Sequence, residues 1–324
     1  MKKSRKLVLL ALELLCVAAI VMGVFYFQRR AEDQDASLIT TEDTVRRYRP
    51  ALSYQGQSYP LKRNTSSLLL IGTDNFVGDS KQYEGMPYNF NLADFLVVLV
   101  FDHNAKTVTP FQICRDTMCE VPVTSGGTRR MQITLSHTYG SGRADSCENV
   151  KKAVEDLLHG VPVDSYLSFT MDTVPFLNDL VGGVTVTLED DIPALGPEYV
   201  KGATITLRGT SALRFVRYRN TDLLDDNLRR MSHHRLYLTA FTDAAKATAA
   251  KDSEFVTRVF KAVEKYICTD LSVEQVSDIL NDLNEYEILS AVTPDGEYVM
   301  GKEFAEYIVD ETSLWDCVRM VFCV

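Results

Sequence analysis

The stretch ADFLVVLVFDHNAKTVTPFQICRD, residues 93–116, decides the fold. It contains two apolar runs, 95–102 and 107–114, separated by the polar His103-Asn104-Ala105-Lys106. Runs of this length bounded by turn residues read as buried strands, so the spacing predicts a hairpin. Charge sits at its ends: Asp94 opens the first strand, and Arg115 and Asp116 follow the second. Upstream, LLLIGTD (68–74) predicts another buried strand, 67–73, that runs out at Asp74. Ligands of α/β sheets collect at strand ends. Carboxylates there can hold a hard cation, and arginine forks beside them match phosphate oxygens.

Outward from the hairpin, the pattern alternates. Helix 147–159 has Val150, Val154, Leu157 and Leu158 at helical spacing, and Gly160 stops it. A strand is predicted at 165–170, a helix at 173–181, the alternating strand VTVTL at 184–188, and helices at 210–217 and 227–248. The remainder reads as helices 253–266 and 272–284, strands 287–292 and 297–300, and helix 311–321. No repeat and no Pro- or Ser-rich linker divides the chain after residue 66. One α/β domain over 66–324 is the expectation. With 324 residues and 46% hydrophobic content, a core of that size can be buried.

The formal charge of −10 conceals a split. The first thirty residues carry six basic side chains against Glu13, a balance of +5, which leaves −15 for the rest. So acidic a body is not a general nucleic-acid binder, because neutralising phosphates requires a broad basic face. Residues 7–27 form an apolar segment close to the roughly 20 residues of a spanning helix. No small-residue cleavage site follows before Phe25-Tyr26-Phe27, so a signal anchor is expected rather than a cleaved leader. More basic residues precede it than follow it, which keeps the N-terminus in the cytoplasm. The expected organisation is a cytoplasmic tail (1–6), a transmembrane anchor (7–27), an extracellular tether (28–65) and the domain outside. Cysteines in that compartment can form disulfides. A Cys119–Cys147 bridge would staple a polar loop, and Cys268 can reach for Cys317 or Cys323; simple burial is the alternative for Cys114.

Further along, Arg217 and Arg219 end SALRFVRYR (211–219), and Arg229 and Arg230 follow. Arg230 and His234 are four apart and share a helix face near its N-terminus, where the backbone favours anions. Any one of these charges is ordinarily a surface ion pair, and an Asp226–Arg230 pair is the plain alternative. Together they predict a site for a phosphate ester and a divalent metal. HExxH, GxSxG and P-loop motifs are absent from the sequence, which weighs against protease, esterase and nucleotidase chemistry.

The ordered motifs LLLIGTDN, AD before a hydrophobic hairpin, CRDTM, LNDLVGGVTV, LRGTSALRFVRYRN and RRMSHHRLYL resemble the LytR-CpsA-Psr family. The resemblance spans about 66–324. It implies a three-layer α/β/α fold with a central mixed sheet, behind one N-terminal transmembrane helix. It also implies transfer of a glycopolymer, such as teichoic acid or capsule, from a polyprenyl pyrophosphate carrier to peptidoglycan at the outer face of the cell membrane. On that resemblance Asp74 and Asp94 would hold Mg2+ and pyrophosphate. Arg115, Arg217 and Arg219 would be catalytic with Asp94. An aspartate near the acceptor hydroxyl would serve as general base, with Asp94 the candidate and a purely metal-binding role its alternative. Asp116, Arg230 and His234 would bind substrate. The chain departs from the usual pattern at Cys114 (usually proline), Asn227 (usually aspartate) and His233-His234 (usually Arg-Gln), and loop 75–93 looks longer. A pyrophosphatase-like hydrolase and a lipid-carrier-binding regulatory protein are the other classes.

Overall fold

A computed structural model describes residues 51–74, 89, 91–220, 223, 226–249, 251, 252, 255–272, 275, 278, 279, 282, 283, 285–302 and 304–324. The anchor at 7–27 and most of loop 75–93 lie outside these residues. Among the described residues, no helix is long and apolar enough to cross a membrane.

The hairpin forms the centre of a six-stranded mixed sheet. β3 (Thr65–Thr73) pairs antiparallel with β4 (Ala93–Asp102), which pairs antiparallel with β5 (Thr107–Ile113). β8 (Ser165–Thr170) lies parallel to β3, β11 (Ile267–Thr269) antiparallel beyond it, and β12 (Glu287–Ile288) parallel to β5 at the other edge. Successive side chains of a strand face opposite sides, and here both sides are buried. Leu69, Ile71, Leu96, Val98 and Phe111 pack on one face against α1 (Ala144–Leu157) and α6 (Glu311–Phe322), through Val150, Val154, Trp315 and Val318. Leu68, Leu70, Val97, Leu99 and Leu167 pack on the other against Leu271, Ile288 and Leu238 of α4 (Asp226–Ala249). The architecture is thus α/β/α, as the strand lengths and apolar runs require.

A second cluster lies beside the sheet, where β9 (Val184–Thr187) and β10 (Thr204–Leu207) form a ribbon. It packs with α2 (Thr173–Leu180), α3 (Thr210–Arg217), α4 and α5 (Phe255–Val263), around Val184, Leu207, Phe215, Tyr237, Phe241 and Val259.

Several boundaries differ from the sequence reading. Residues 51–64, read as part of the tether, include the ribbon of β1 (Leu52–Tyr54) and β2 (Gln57–Tyr59). Leu52 and Leu61 are buried in the core, and Tyr54 stacks on Trp315 with ring centroids 4.2 Å apart. The strand expected over 287–292 is two residues long; Val292 adds only an isolated bridge to Phe111. The strand expected at 297–300 is β13 (Gly296–Met300), and its partner β14 (Ala305–Val309) went unforeseen, as did the ribbon of β6 (Met118–Pro122) and β7 (Thr128–Gln132). All six described cysteines are free thiols, so neither Cys119–Cys147 nor a Cys268 bridge to Cys317 or Cys323 is present. Cys268 instead shares a hydrogen bond with Cys147.

Candidate active site

The end of β3, the start of β4 and the end of β5 lie at one edge of the sheet, which gathers Asp74, Asp94, Arg115 and Asp116. Gly72 makes the close approach of β3 and β4 possible. A Cβ there would lie 2.8 Å from Phe95 Cβ, and the register shifts at Gly72/Thr73 before Asp74 emerges. Such a bulge re-aims the side chain that follows it. The 3-10 turn Ile133–Thr138 and the N-terminal part of α4 close over this edge and bring Thr134 and Arg230 to it.

Asp94 is the hub. Its Oδ1 accepts from Arg115 Nη1, and from Thr134 Oγ1 at 3.4 Å; its Oδ2 lies 3.5 Å from Arg230 Nη1. All three charged side chains are about nine-tenths buried or more. A buried carboxylate between two guanidinium groups offsets like charges that otherwise repel, and losing it would strand both. Arg115 Nε also donates to Asp116 Oδ1 at 3.2 Å, an oxygen that Gln132 Nε2 meets at the same distance.

Asp74 lies at the more open side, 2.9 Å from Arg217 Nη2. Burial, and then the neighbouring Asp94, push its carboxyl above the usual range against the pull of the arginines. Arg217 and Arg219 follow Val216 out of α3 and are exposed. The charge of Arg219 reaches Arg230, whose own value is held down first by burial. The sheet edge therefore carries an inner clamp, Arg115–Asp94–Arg230, with Arg217 paired to Asp74 outside it and the charge of Arg219 near Arg230.

His234 differs from its expected role. Its Nε2 donates to the carbonyl of Val216 at 2.8 Å, and burial pushes its pKa down to about 3. It is a neutral tie that fixes the end of α3 immediately before Arg217, not a cation facing an anion. His233 points elsewhere, to Asp190 at 3.0 Å, and Arg229 joins the same carboxylate at 3.4 Å. Asp226 does not pair with Arg230; Asn227 does, through Oδ1 at 2.7 Å from Arg230 Nη2.

Tyr298 of β13 also belongs to the site. Its hydroxyl donates to Asp116 Oδ2 at 3.1 Å. Nothing local marks it, since the two residues are far apart in the chain.

Among the described residues, no group of three or more His, Cys, Asp or Glu side chains gathers to hold a metal. Asp74 and Asp94 supply two hard carboxylates, which suits a cation that completes its shell with phosphate oxygens and water.

The LytR_cpsA_psr family model matches residues 22–317. The polyisoprenyl-teichoic acid–peptidoglycan teichoic acid transferase TagU of Bacillus licheniformis is 28% identical over 77% of this chain and 74% of its own. The crystal structure of protein gbs0355 from Streptococcus agalactiae shares the fold with a TM-score of 0.62, at 19% identity, covering 79% of this chain and 87% of that one. A structure of TagT bound to LIIa-WTA does so with a TM-score of 0.58, at 21% identity, covering 80% and 89%.

Proposed function

The chain belongs to the LytR_cpsA_psr family, and from that premise we propose that it transfers a glycopolymer from a polyprenyl pyrophosphate carrier to peptidoglycan. One observation carries the reading: three arginines, Arg115, Arg217 and Arg230, meet two aspartates at a single edge of the sheet, and the charge of a fourth, Arg219, reaches Arg230. Phosphoryl transfer depends on positioning and charge neutralisation more than on covalent help from the protein. Arg217, paired to Asp74, and Arg219 are exposed and can turn toward pyrophosphate oxygens. The buried Arg115 and Arg230 supply a fixed positive floor that does not reorganise as charge moves.

Both oxygens of Asp94 face guanidinium groups, so holding the clamp is its first role. Asp74 is then the better general base for an acceptor hydroxyl. Its raised pKa brings it nearer neutrality, where a base accepts a proton most effectively. This moves the base from Asp94, where the sequence reading put it. Asp74 and Asp94 are the carboxylates that would hold Mg2+, which would supply charge neutralisation at the phosphate oxygens.

The polyprenyl chain would enter along the seam where the two apolar clusters meet. Phe95 and Phe169 lie 5.9 Å apart there, and Leu238 and Ile267 belong to both clusters. Val97 and Leu99 are ordinary core, and Phe176 is exposed against Tyr266. Each buried CH2 contributes about 0.8 kcal/mol, so a few isoprene units would dominate affinity. In this account residues 7–27 anchor the protein in the cell membrane, with the N-terminus inside and the domain outside. Incubating full-length protein with labelled lipid-linked glycan and peptidoglycan tests the reading: the label should become covalently attached to the peptidoglycan.

A further inference from the structure

Two of the departures from the family pattern, Cys114 and Asn227, touch each other. Asn227 Nδ2 donates to Cys114 Sγ at 3.4 Å, and that sulfur lies 3.2 Å from the Tyr298 hydroxyl. The hydroxyl donates onward to Asp116 Oδ2, and Asp116 Oδ1 accepts from Arg115 Nε. From the other side, Arg230 Nη2 donates to Asn227 Oδ1. Because Arg115 and Arg230 also meet on Asp94, the contacts form a closed ring of seven side chains.

One arrangement of protons satisfies every contact of the ring. Asp116 accepts from the Tyr298 hydroxyl, so the phenol oxygen is left to accept, from the Cys114 S–H and from the Asn227 amide. The sulfur then accepts from the Asn227 amide, whose carbonyl oxygen accepts from Arg230. An ionised aspartate at 227 has no proton to give the sulfur, and a proline at 114 has no group to receive or pass one. The two departures therefore fit one another, and both require Tyr298. Burial pushes the Cys114 thiol and the Tyr298 phenol up, so both keep their protons at neutral pH.

We propose that Tyr298, Cys114 and Asn227 are positioning residues, joined in a brace that sets the orientation of Arg115 and Arg230 on Asp94. The proposal rests on the phosphate-site reading above. The brace reaches the clamp through the C-terminal ribbon, which is itself docked there by Tyr307 N–H to the Asp116 carbonyl at 2.9 Å. Guanidinium groups must be held to within about 0.5 Å for a site to work, and a closed hydrogen-bonded network does this better than separate pairs.

The test is calorimetric titration of the full-length protein in detergent with inorganic pyrophosphate, with thermal unfolding recorded for every variant. Tyr298→Phe and Asn227→Ala should each weaken binding about tenfold, and the double variant should be little worse than either, because one break opens the ring. Cys114→Ser, which keeps a donor and acceptor in place, should bind nearly as wild type; Cys114→Ala should join the weakened set. Multiplying losses in the double variant, unchanged affinity with only the melting temperature lowered, or identical behaviour of the serine and alanine variants would each overturn the brace. Arg217 stands outside the ring. If Arg217→Ala leaves pyrophosphate affinity intact, or wild type binds none, the phosphate-site reading itself fails, and the brace with it.

Discussion

Arg217 Nη2 lies 2.9 Å from Asp74 Oδ1, which ties the end of α3 to the end of β3 across the mouth of the site. Both groups are accessible to a ligand, unlike the buried clamp behind them. Replacing Arg217 and Arg219 together by alanine should lower transfer by about a hundredfold or more while the fold persists, since neither side chain is in the core. Lysine at both positions should recover only part, because an ammonium cannot reproduce a bidentate fork. Transfer rates with near-saturating lipid-linked substrate check this; full activity in the double alanine variant refutes it.

Asp74 gives the pH dependence a sign. As general base it must be ionised, and its carboxyl titrates above the usual range, so activity should fall on an acid limb set by that raised value. Asp94 raises it and Arg217 lowers it. Asp94→Asn should therefore move the limb to lower pH and Arg217→Ala to higher pH, read from the residual kcat/KM profiles. Limbs that do not move, or move the other way, contradict the assignment of the base.

Asp94 should behave differently from Asp74 in stability. Asp94→Ala strands two buried guanidinium groups and should cost about 3–5 kcal/mol in unfolding by urea. Asp74→Asn, at the more open side, should cost little. Both substitutions should abolish any stimulation by Mg2+, and chelation should silence the wild type. Activity indifferent to chelation would leave an arginine-only site.

Two buried histidines make the domain acid-sensitive. Burial pushes His137 to about 4 and His234 to about 3. Their unfolded values lie near 6.5, so between the two the unfolded chain binds more protons and stability drops as pH falls below about 6.5. The loss should be roughly 2 kcal/mol for each by pH 5. His234→Gln can keep the bond to Val216 without titrating, and its urea midpoint should fall less between pH 7 and pH 5. An equal fall in the variant would exclude His234 as a source.

Much of this was legible in the chain. β3, β4, β5 and β8 were readable because unbroken apolar runs report burial on both faces, and α3 was readable from LRFVR. The same strong runs located Asp74, Asp94, Arg115 and Arg217, because turns and strand ends follow them directly. The ribbon of β6 and β7 escaped, since short strands such as TRRMQ at 128–132 carry no alternation to read. Helical spacing put Arg230 and His234 on one face, yet it could not show that the histidine spends its proton on Val216. Tyr298 and its link to Asp116 left no trace at all, because a hydrogen bond across 182 residues imposes no local pattern.

The most direct measurement follows the glycan of a polyprenyl-pyrophosphate-linked substrate, labelled in the sugar, with peptidoglycan present and with wild type and the Arg217→Ala/Arg219→Ala variant compared. The account predicts label covalently bound to peptidoglycan with wild type, released only on digestion of the glycan strands, and almost none with the variant. Label released as soluble glycan phosphate would make the protein a hydrolase, and substrate bound but unchanged would make it a carrier-binding protein; either result contradicts the account.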